Sequence, residues 1–79
     1  MSKRDRSLIT VAVNQALYAT NELRTHIIRA LDANGVTPQE ISEVILHVTF
    51  YAGWPAAVNA GRLATEAFEA REVVFSELQ

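Results

Sequence analysis

The stretch Ile45–Pro55, ILHVTFYAGWP, contains an apolar helix and the break that ends it. Gly53 is the residue type that most often follows a helix end, and Pro55 suits the first turn of the next helix. The stretch therefore predicts two consecutive helices. Tyr51 and Trp54 flank the break. They could line a small pocket where two helix ends meet, or they could pack in the core or at an interface.

The sequence TPQE at residues 37–40 predicts the start of the helix that contains this stretch. Threonine followed three residues later by glutamate is a capping box, and proline at the first helical position already has the backbone angle of a helix. The helix is expected to direct four aliphatic side chains inward: Ile41, Val44, Ile45 and Val48.

Three further helices are expected, and no strand competes with them. The first covers residues 3–18 and is apolar nearly all round, which predicts that it is buried. Asn21 is expected to cap a second helix that continues to about residue 33, where Asn-Gly stops it. The last helix should run from Pro55 into residue 72 or beyond. Four apolar residues near the end could extend it or dock on a partner subunit: Val73, Val74, Phe75 and Leu78.

Length and composition predict one domain, residues 1–79, that forms a homo-oligomer. A chain of 79 residues buries only about 60% of the surface that its unfolded form exposes. Apolar residues make up 49% of it, more than so small a bundle can hide, so an intersubunit surface is expected. The net charge is −2 with mixed signs along the chain, so binding to nucleic acid is not expected.

The absence of cysteine excludes disulfides, thiolate metal sites and thiol redox chemistry in this chain. The apolar run Ser7–Leu17 is too short to span a bilayer, and no small-residue cleavage pattern follows it. Neither a membrane span nor a signal peptide is predicted, and a cytoplasmic location is expected.

Two histidines are the first candidates for chemistry. His47 lies one helical turn before Tyr51 at the edge of an apolar stripe, a position that suits a pocket wall. It could instead be a half-buried histidine that donates a ring proton to a backbone carbonyl or to the tyrosine hydroxyl. His26 lies one turn from Glu22 and Arg29 and could simply be solvated. Catalytic zinc normally has three protein ligands, so no metal site is expected.

Arg24 and Arg29 are candidates for binding a carboxylate. The guanidinium group presents a fork of donors that matches the two carboxylate oxygens. On an amphipathic helix, however, arginines are commonly solvated or paired with acidic neighbours, here Glu22 or Asp32. Both interpretations stay open at this point.

Three segments resemble the carboxymuconolactone decarboxylase family, which shares its all-helical fold with alkylhydroperoxidase D. They are DRSLITVAV at 5–13, ELRTHIIRAL at 22–31 and NGVTPQEISEVILHVTFYAGWPAAVNA at 34–60. The resemblance covers about residues 4–70 and is most specific over 34–60. It implies an all-α, alkylhydroperoxidase D-like bundle of about four helices, assembled as a trimer or hexamer with sites near subunit contacts.

The chain departs from the peroxidase branch of that family. That branch carries a CxxC pair and a histidine on the second helix, and a glutamate on the helix before it. The matching positions hold residues near Ala19, Glu22 and Ser7, so only His26 remains. Without a thiol to attack a peroxide, a cysteine peroxidase is not expected. The helices that commonly precede residues 5–13 are expected to be missing, which makes the domain short at its N-terminus.

The resemblance to the decarboxylase branch implies removal of carbon dioxide from a carboxylated lactone in aromatic-compound breakdown, without metal or organic cofactor. Loss of carbon dioxide leaves an enolate-like carbanion that needs a proton, and an imidazole can donate one near neutral pH. The arginines would orient the substrate carboxylate, and the aromatic residues would keep the pocket dry. The candidates are His47 first and His26 second for proton transfer, and Arg24, Arg29, Tyr51 and Trp54 for substrate binding.

Two other functions stay open. The chain could be a non-catalytic oligomerisation or binding module that keeps the family fold for packing alone. It could also be a lactone isomerase or hydrolase on the same scaffold, in which the same histidine would activate water or move a proton.

Overall fold

The computed structural model describes residues 1–71, which form four α-helices and no strand. The helices are α1 (Lys3–Ala16), α2 (Thr20–Ala33), α3 (Pro38–Ala52) and α4 (Trp54–Ala70). Helix α1 packs against α2 and α3, and α4 packs against the same two helices, so α1 and α4 lie diagonally across the bundle. The prediction of an all-α bundle of about four helices is confirmed. The apolar residues predicted to extend α4 or to dock, Val73 to Leu78, lie outside the described residues.

The start of α3 forms the predicted capping box. The Thr37 hydroxyl accepts the backbone N–H of Glu40 at 3.1 Å, and the Glu40 carboxylate accepts the backbone N–H of Thr37 at 3.0 Å. Two of the unpaired N–H groups at the helix N-terminus are satisfied in this way. The break at Gly53 is also confirmed, since this residue has φ 93° and Pro55 lies in the first turn of α4.

The connection between α1 and α2 differs from the prediction. Helix α1 ends at Ala16 rather than at residue 18, because Tyr18 turns the chain with φ 58°. The Ala19 carbonyl then accepts the Leu23 N–H at 2.8 Å, which starts α2 before Asn21. Ala19 is the N-cap and makes no side-chain cap bond, so the prediction that Asn21 caps this helix is wrong.

The core consists of residues from all four helices and of Val36, which lies between α2 and α3. Its members are Val11, Leu23, Ile27, Ala30, Val36, Ile41, Ala60, Leu63, Ala64, Ala67 and Phe68. In α3 Ile41 is buried, while Val44, Ile45 and Val48 are half-buried.

Helix α1 is not buried all round, contrary to the prediction. The bundle covers only the side that carries Ser7, Val11 and Gln15, because α2 and α3 pack on that side alone. The opposite side leaves several aliphatic residues exposed. No helix within residues 1–71 is long and apolar enough to cross a lipid bilayer.

Candidate functional site

The six predicted site residues do not converge on one pocket. Each lies on a helix that presents it to a groove between two neighbouring helices or to solvent. His26 and Arg29 line one groove together, whereas His47, Arg24 and Trp54 line three different grooves, and Tyr51 lies beside His47.

The groove between α1 and α2 is the most polar of the four and is called the cationic groove below. Its volume is about 210 Å³, and its lining residues are Lys3, Arg6, Ser7, Thr10, His26, Arg29 and Asn34. Three of them carry a permanent positive charge, and none carries a carboxylate. A small anion is the ligand that such a lining favours.

Helical spacing brings these cations together. His26 and Arg29 are three residues apart on α2, and Lys3 and Arg6 are three residues apart on α1, so each pair shares one helix face. His26 is half-buried and Arg29 is exposed. Within residues 1–71, the side chains of Lys3, Arg6 and Arg29 form no ion pair, so their charges are available to a ligand.

The floor of the cationic groove contains a neutral hydrogen bond. The Asn34 side-chain amide donates to the Ser7 hydroxyl at 3.4 Å, and Ser7 is almost fully buried. This bond joins the end of α2 to the first turns of α1. Both Ser7 and His26 line this groove.

The groove between α1 and α3 contains His47 and is different in character. Its volume is about 290 Å³, and its lining residues are Leu8, Ala12, Glu40, Glu43, Val44, His47 and Val48. Arg4 forms an ion pair with Glu40. Glu43 lies one helical turn before His47, so an acidic side chain stands beside this histidine. The apolar lining and the acidic rim make the groove less suitable for a carboxylate than the cationic groove.

His47 and Tyr51 lie together as their spacing predicted. Their ring centroids are 5.4 Å apart, and the ring planes are inclined by 50°. The alternative of a half-buried, hydrogen-bonded histidine is not what the structure shows. His47 is exposed, and its ring makes no hydrogen bond to any residue within 1–71.

Arg24 faces away from both histidines. Its Nε lies 3.8 Å from the carboxylate of Glu66 on α4, and its Nη1 donates to the Asn21 side-chain oxygen at 3.4 Å. Glu22 and Asp32 were the predicted acidic partners of the arginines on α2, but Asp32 instead accepts from Arg71. Arg24 is therefore not positioned to bind the same carboxylate as Arg29.

Tyr51 and Trp54 do not enclose a dry pocket within residues 1–71. They are 81% and 73% exposed. Trp54 forms one wall of a groove of about 290 Å³ between α3 and α4.

Lys3 and Arg6 were not among the predicted site residues, although both line the cationic groove. Their spacing of three indicates that they share one face of α1. That this face lies opposite His26 depends on how α1 packs against α2, which the spacing does not indicate. No group of three or more potential metal ligands occurs within the part of the chain that the structure describes.

The fold and the cationic groove define a small helical protein with a surface suited to carboxylates. Residues 1–66 match the sequence model of the carboxymuconolactone decarboxylase family, and the chain belongs to this family. It is similar to 4-carboxymuconolactone decarboxylase of Acinetobacter baylyi, with 46% identity over 69 residues, which is 87% of this chain and 51% of the relative.

A second relative is nitrosuccinic acid decarboxylase of Metarhizium robertsii. It is 37% identical over 60 residues, which is 76% of this chain and 41% of the relative. The chain spans about half the length, or less, of these curated relatives. No solved structure gives a significant match to the chain.

Proposed function

We propose that the protein acts as a decarboxylase of a small carboxylated molecule, bound in the cationic groove. The observation that carries this proposal is that His26 and Arg29 line one groove together with Lys3 and Arg6, and that no carboxylate of residues 1–71 lines it. A carboxylated lactone from aromatic-compound breakdown is the substrate that we propose. The similarity to 4-carboxymuconolactone decarboxylase supports that choice.

In the proposed reaction the bond between the leaving carboxylate and its carbon breaks, and carbon dioxide departs. The electron pair remains on that carbon and delocalises into a neighbouring carbonyl as an enolate. His26 then donates a proton to the carbon, and water re-protonates the imidazole. No metal or organic cofactor is needed for these steps, because the carbonyl of the substrate accepts the electron pair.

Arg29 would best bind a carboxylate that does not leave, or the developing enolate oxygen. A guanidinium group that bound the leaving carboxylate would stabilise the substrate more than the transition state, in which that group loses its charge. The cations on α1, Lys3 and Arg6, stand on the opposite wall of the groove and can attract a second anionic group. This arrangement favours a substrate with more than one carboxylate.

This proposal reverses the order of the two histidines from the sequence analysis. The resemblance favours His47, which lies in the segment where it is most specific. We now favour His26 because three permanent cations share its groove, whereas two glutamates share the groove of His47. His47, Arg24, Tyr51 and Trp54 stay predictions for a second, less favoured site.

We also propose that the protein forms a homo-oligomer, a trimer or hexamer, in the cytoplasm. The exposed apolar residues of α1 and of the α3–α4 corner support assembly. A neighbouring subunit could also shield the cationic groove, which is open in the single chain. Exclusion of water would strengthen the electrostatic contacts on which decarboxylation depends.

The test compares His26→Gln with His47→Gln in an assay that follows both loss of 4-carboxymuconolactone and release of carbon dioxide. We expect His26→Gln to lower kcat by about 10²-fold or more, the usual contribution of a positioned proton donor. His47→Gln should leave kcat close to that of the unmodified protein. The reverse result would assign the reaction to the groove between α1 and α3.

A non-catalytic binding module is the second candidate function. The exposure of Tyr51 and Trp54 favours it, since the part of the chain that the structure describes does not form the predicted dry pocket. It predicts no turnover in the same assay by a folded protein. Consumption of the lactone without release of carbon dioxide would instead indicate an isomerase or hydrolase.

A further inference from the structure

Helix α1 exposes a ridge of aliphatic side chains to solvent. Ile9, Val13 and Leu17 follow one another at intervals of four residues, along the side opposite the core. They are 48%, 48% and 70% exposed. A row of side chains four residues apart is the ridge that helices insert into the grooves of other helices. We refer to these three residues as the α1 ridge.

A second apolar surface lies at the α3–α4 corner. Leu46, Phe50 and Trp54 are again spaced by four residues, and they are 63%, 79% and 73% exposed. Leu46 and Trp54 border the groove between α3 and α4, which has a volume of about 290 Å³. Gly61 is one of the small residues that line this α3–α4 groove, so a neighbouring helix could approach closely.

Both surfaces lie in stretches without permanent charges. No Asp, Glu, Lys or Arg occurs within residues 7–18, and none occurs within residues 45–61. Interfaces are depleted of charge at their centres, because a buried unpaired charge costs more than the contact gains. Within the described chain, neither the α1 ridge nor the lining of the α3–α4 groove contains a permanently charged residue.

We propose that the α1 ridge of one copy packs into the α3–α4 groove of a second copy of this chain. One surface is a ridge on α1 and the other is a groove between α3 and α4, so a single contact between two copies can use one of each. A two-fold contact through either surface alone would leave the other in water. A head-to-tail contact covers both surfaces in every copy, and it closes into a ring if the rotation allows.

The exposed area is in the range that an interface needs. An aromatic side chain covers about 150–250 Å², so Phe50 and Trp54, which are mostly exposed, contribute about 250–400 Å². That is up to half of the roughly 800 Å² that each partner gives to a stable interface. Leu46 and the groove walls add to this side, and the α1 ridge supplies the matching surface on the partner. This pairing rests on the proposed oligomer and is independent of the proposed reaction.

Gly61 offers a test that leaves the single chain intact. Outside the backbone of its own helix turn, no atom of residues 1–71 lies within 4 Å of a Cβ placed at Gly61, so the first atom of a side chain fits there. We expect Gly61→Leu to fill the groove and block the ridge of the partner. Gly61→Ala is the matched control, since one methyl group leaves most of the groove open. Light scattering should show an oligomer for the unmodified protein and for Gly61→Ala, and a monomer for Gly61→Leu.

A mixing experiment tests the head-to-tail geometry. Val13→Glu places a charge on the α1 ridge but keeps the groove, whereas Gly61→Leu blocks the groove but keeps the ridge. Each variant alone should be monomeric. Mixed in equal amounts they should form a dimer with one copy of each, because one ridge and one groove remain. Circular dichroism establishes that both variants are folded.

The outcomes separate this pairing from the other proposals. An oligomer that persists in Gly61→Leu, or two monomeric variants that do not associate on mixing, would overturn the pairing and leave the oligomer standing. A monomeric unmodified protein would overturn both, and would assign the apolar surfaces to a different partner. Turnover of the lactone is measured separately, so loss of the pairing does not decide the reaction.

Discussion

Arg71 holds Asp32 through two parallel hydrogen bonds, from Nε to Oδ1 at 2.7 Å and from Nη2 to Oδ2 at 2.6 Å. The Nη1 atom of Arg71 also donates to the Ala67 carbonyl at 2.8 Å. The end of α4 is thereby joined to the end of α2. The hydrogen bond from Arg71 lowers the pKa of the Asp32 carboxyl below its ordinary value of 3.8. The same bond raises the pKa of Arg71.

This pair predicts a difference in stability that depends on pH. A carboxyl whose pKa is lowered in the folded state stabilises the fold above its ordinary value of 3.8, and this contribution is lost as the pH falls through the lowered pKa. Arg71→Gln should therefore lower the Tm modestly at pH 7. In strong acid, the Tm of the variant should equal that of the unmodified protein. Thermal unfolding of both proteins across this range measures the effect. A difference in Tm that is unchanged in strong acid would contradict it.

Gln15 predicts a stabilising substitution in the core. The residue is fully buried, and its Nε2 donates to the Ile45 carbonyl at 3.1 Å, but its Oε1 has no partner within residues 1–71. Gln15→Met keeps the length of the side chain and removes the unpaired acceptor. The Ile45 carbonyl still accepts the Thr49 hydroxyl at 2.6 Å. We expect the free energy of unfolding to rise by about 1 kcal/mol.

Urea denaturation measures this change, with Gln15→Ala as the control. Alanine also removes the acceptor but leaves a cavity, which should lower the free energy of unfolding by about 2 kcal/mol or more. If both variants are destabilised alike, the unpaired acceptor is not the dominant cost at this position.

Two glycines predict opposite effects of the same substitution. Gly53 has φ 93° and ψ 170°, a region that only glycine adopts readily, so Gly53→Ala should cost about 1–3 kcal/mol. Gly61 lies inside α4 with open space around it, so Gly61→Ala should gain about 1 kcal/mol from helix propensity. Urea denaturation of the two variants compares the free energies of unfolding. A stabilising Gly53→Ala or a destabilising Gly61→Ala would contradict these expectations.

Arg29 and Arg24 form a matched pair for substrate binding. Both lie on α2, but Arg29 lines the cationic groove without an ion pair in the described chain, whereas Arg24 is near Glu66. Arg29→Gln should weaken binding of a small dicarboxylate such as succinate by about tenfold, because a charged hydrogen bond is lost.

Arg24→Gln should bind the dicarboxylate as the unmodified protein does. Isothermal titration calorimetry gives both affinities, and added salt should reduce the difference between them. Equal weakening by the two substitutions would indicate a general effect of net charge rather than a contact in the groove.

The boundaries of α3 and the start of α4 were predictable because local residues determine them. The bonds of the Thr37 capping box close within one turn, and the conformation of Gly53 is a property of glycine itself. The start of α2 was not predictable in this way. It depends on Tyr18, a residue type that seldom adopts a positive φ, so nothing in its identity marks the turn.

The candidate site shows the same division between local and distant pairs. The contact of His47 with Tyr51 follows from a spacing of four on one helix, and the structure contains it. His26 and Arg6 line the same groove because of the way in which α1 packs against α2. Periodicity indicates which residues share a face, but it does not indicate which two faces meet. For α1, apolar residues around most of the helix predicted burial, but periodicity did not indicate that the other helices pack on one side only.

Gly53 is the single residue between the end of α3 and the start of α4. The other two connections, residues 17–19 and 34–37, are longer. Surface loops of this kind tolerate inserted residues better than the helices that they connect. One added residue at Gly53 would turn every side chain of α4 relative to α3. Differences in length among homologous domains should therefore accumulate at the first two connections. The interval from Phe50 to Trp54 should stay constant even where the residues themselves change.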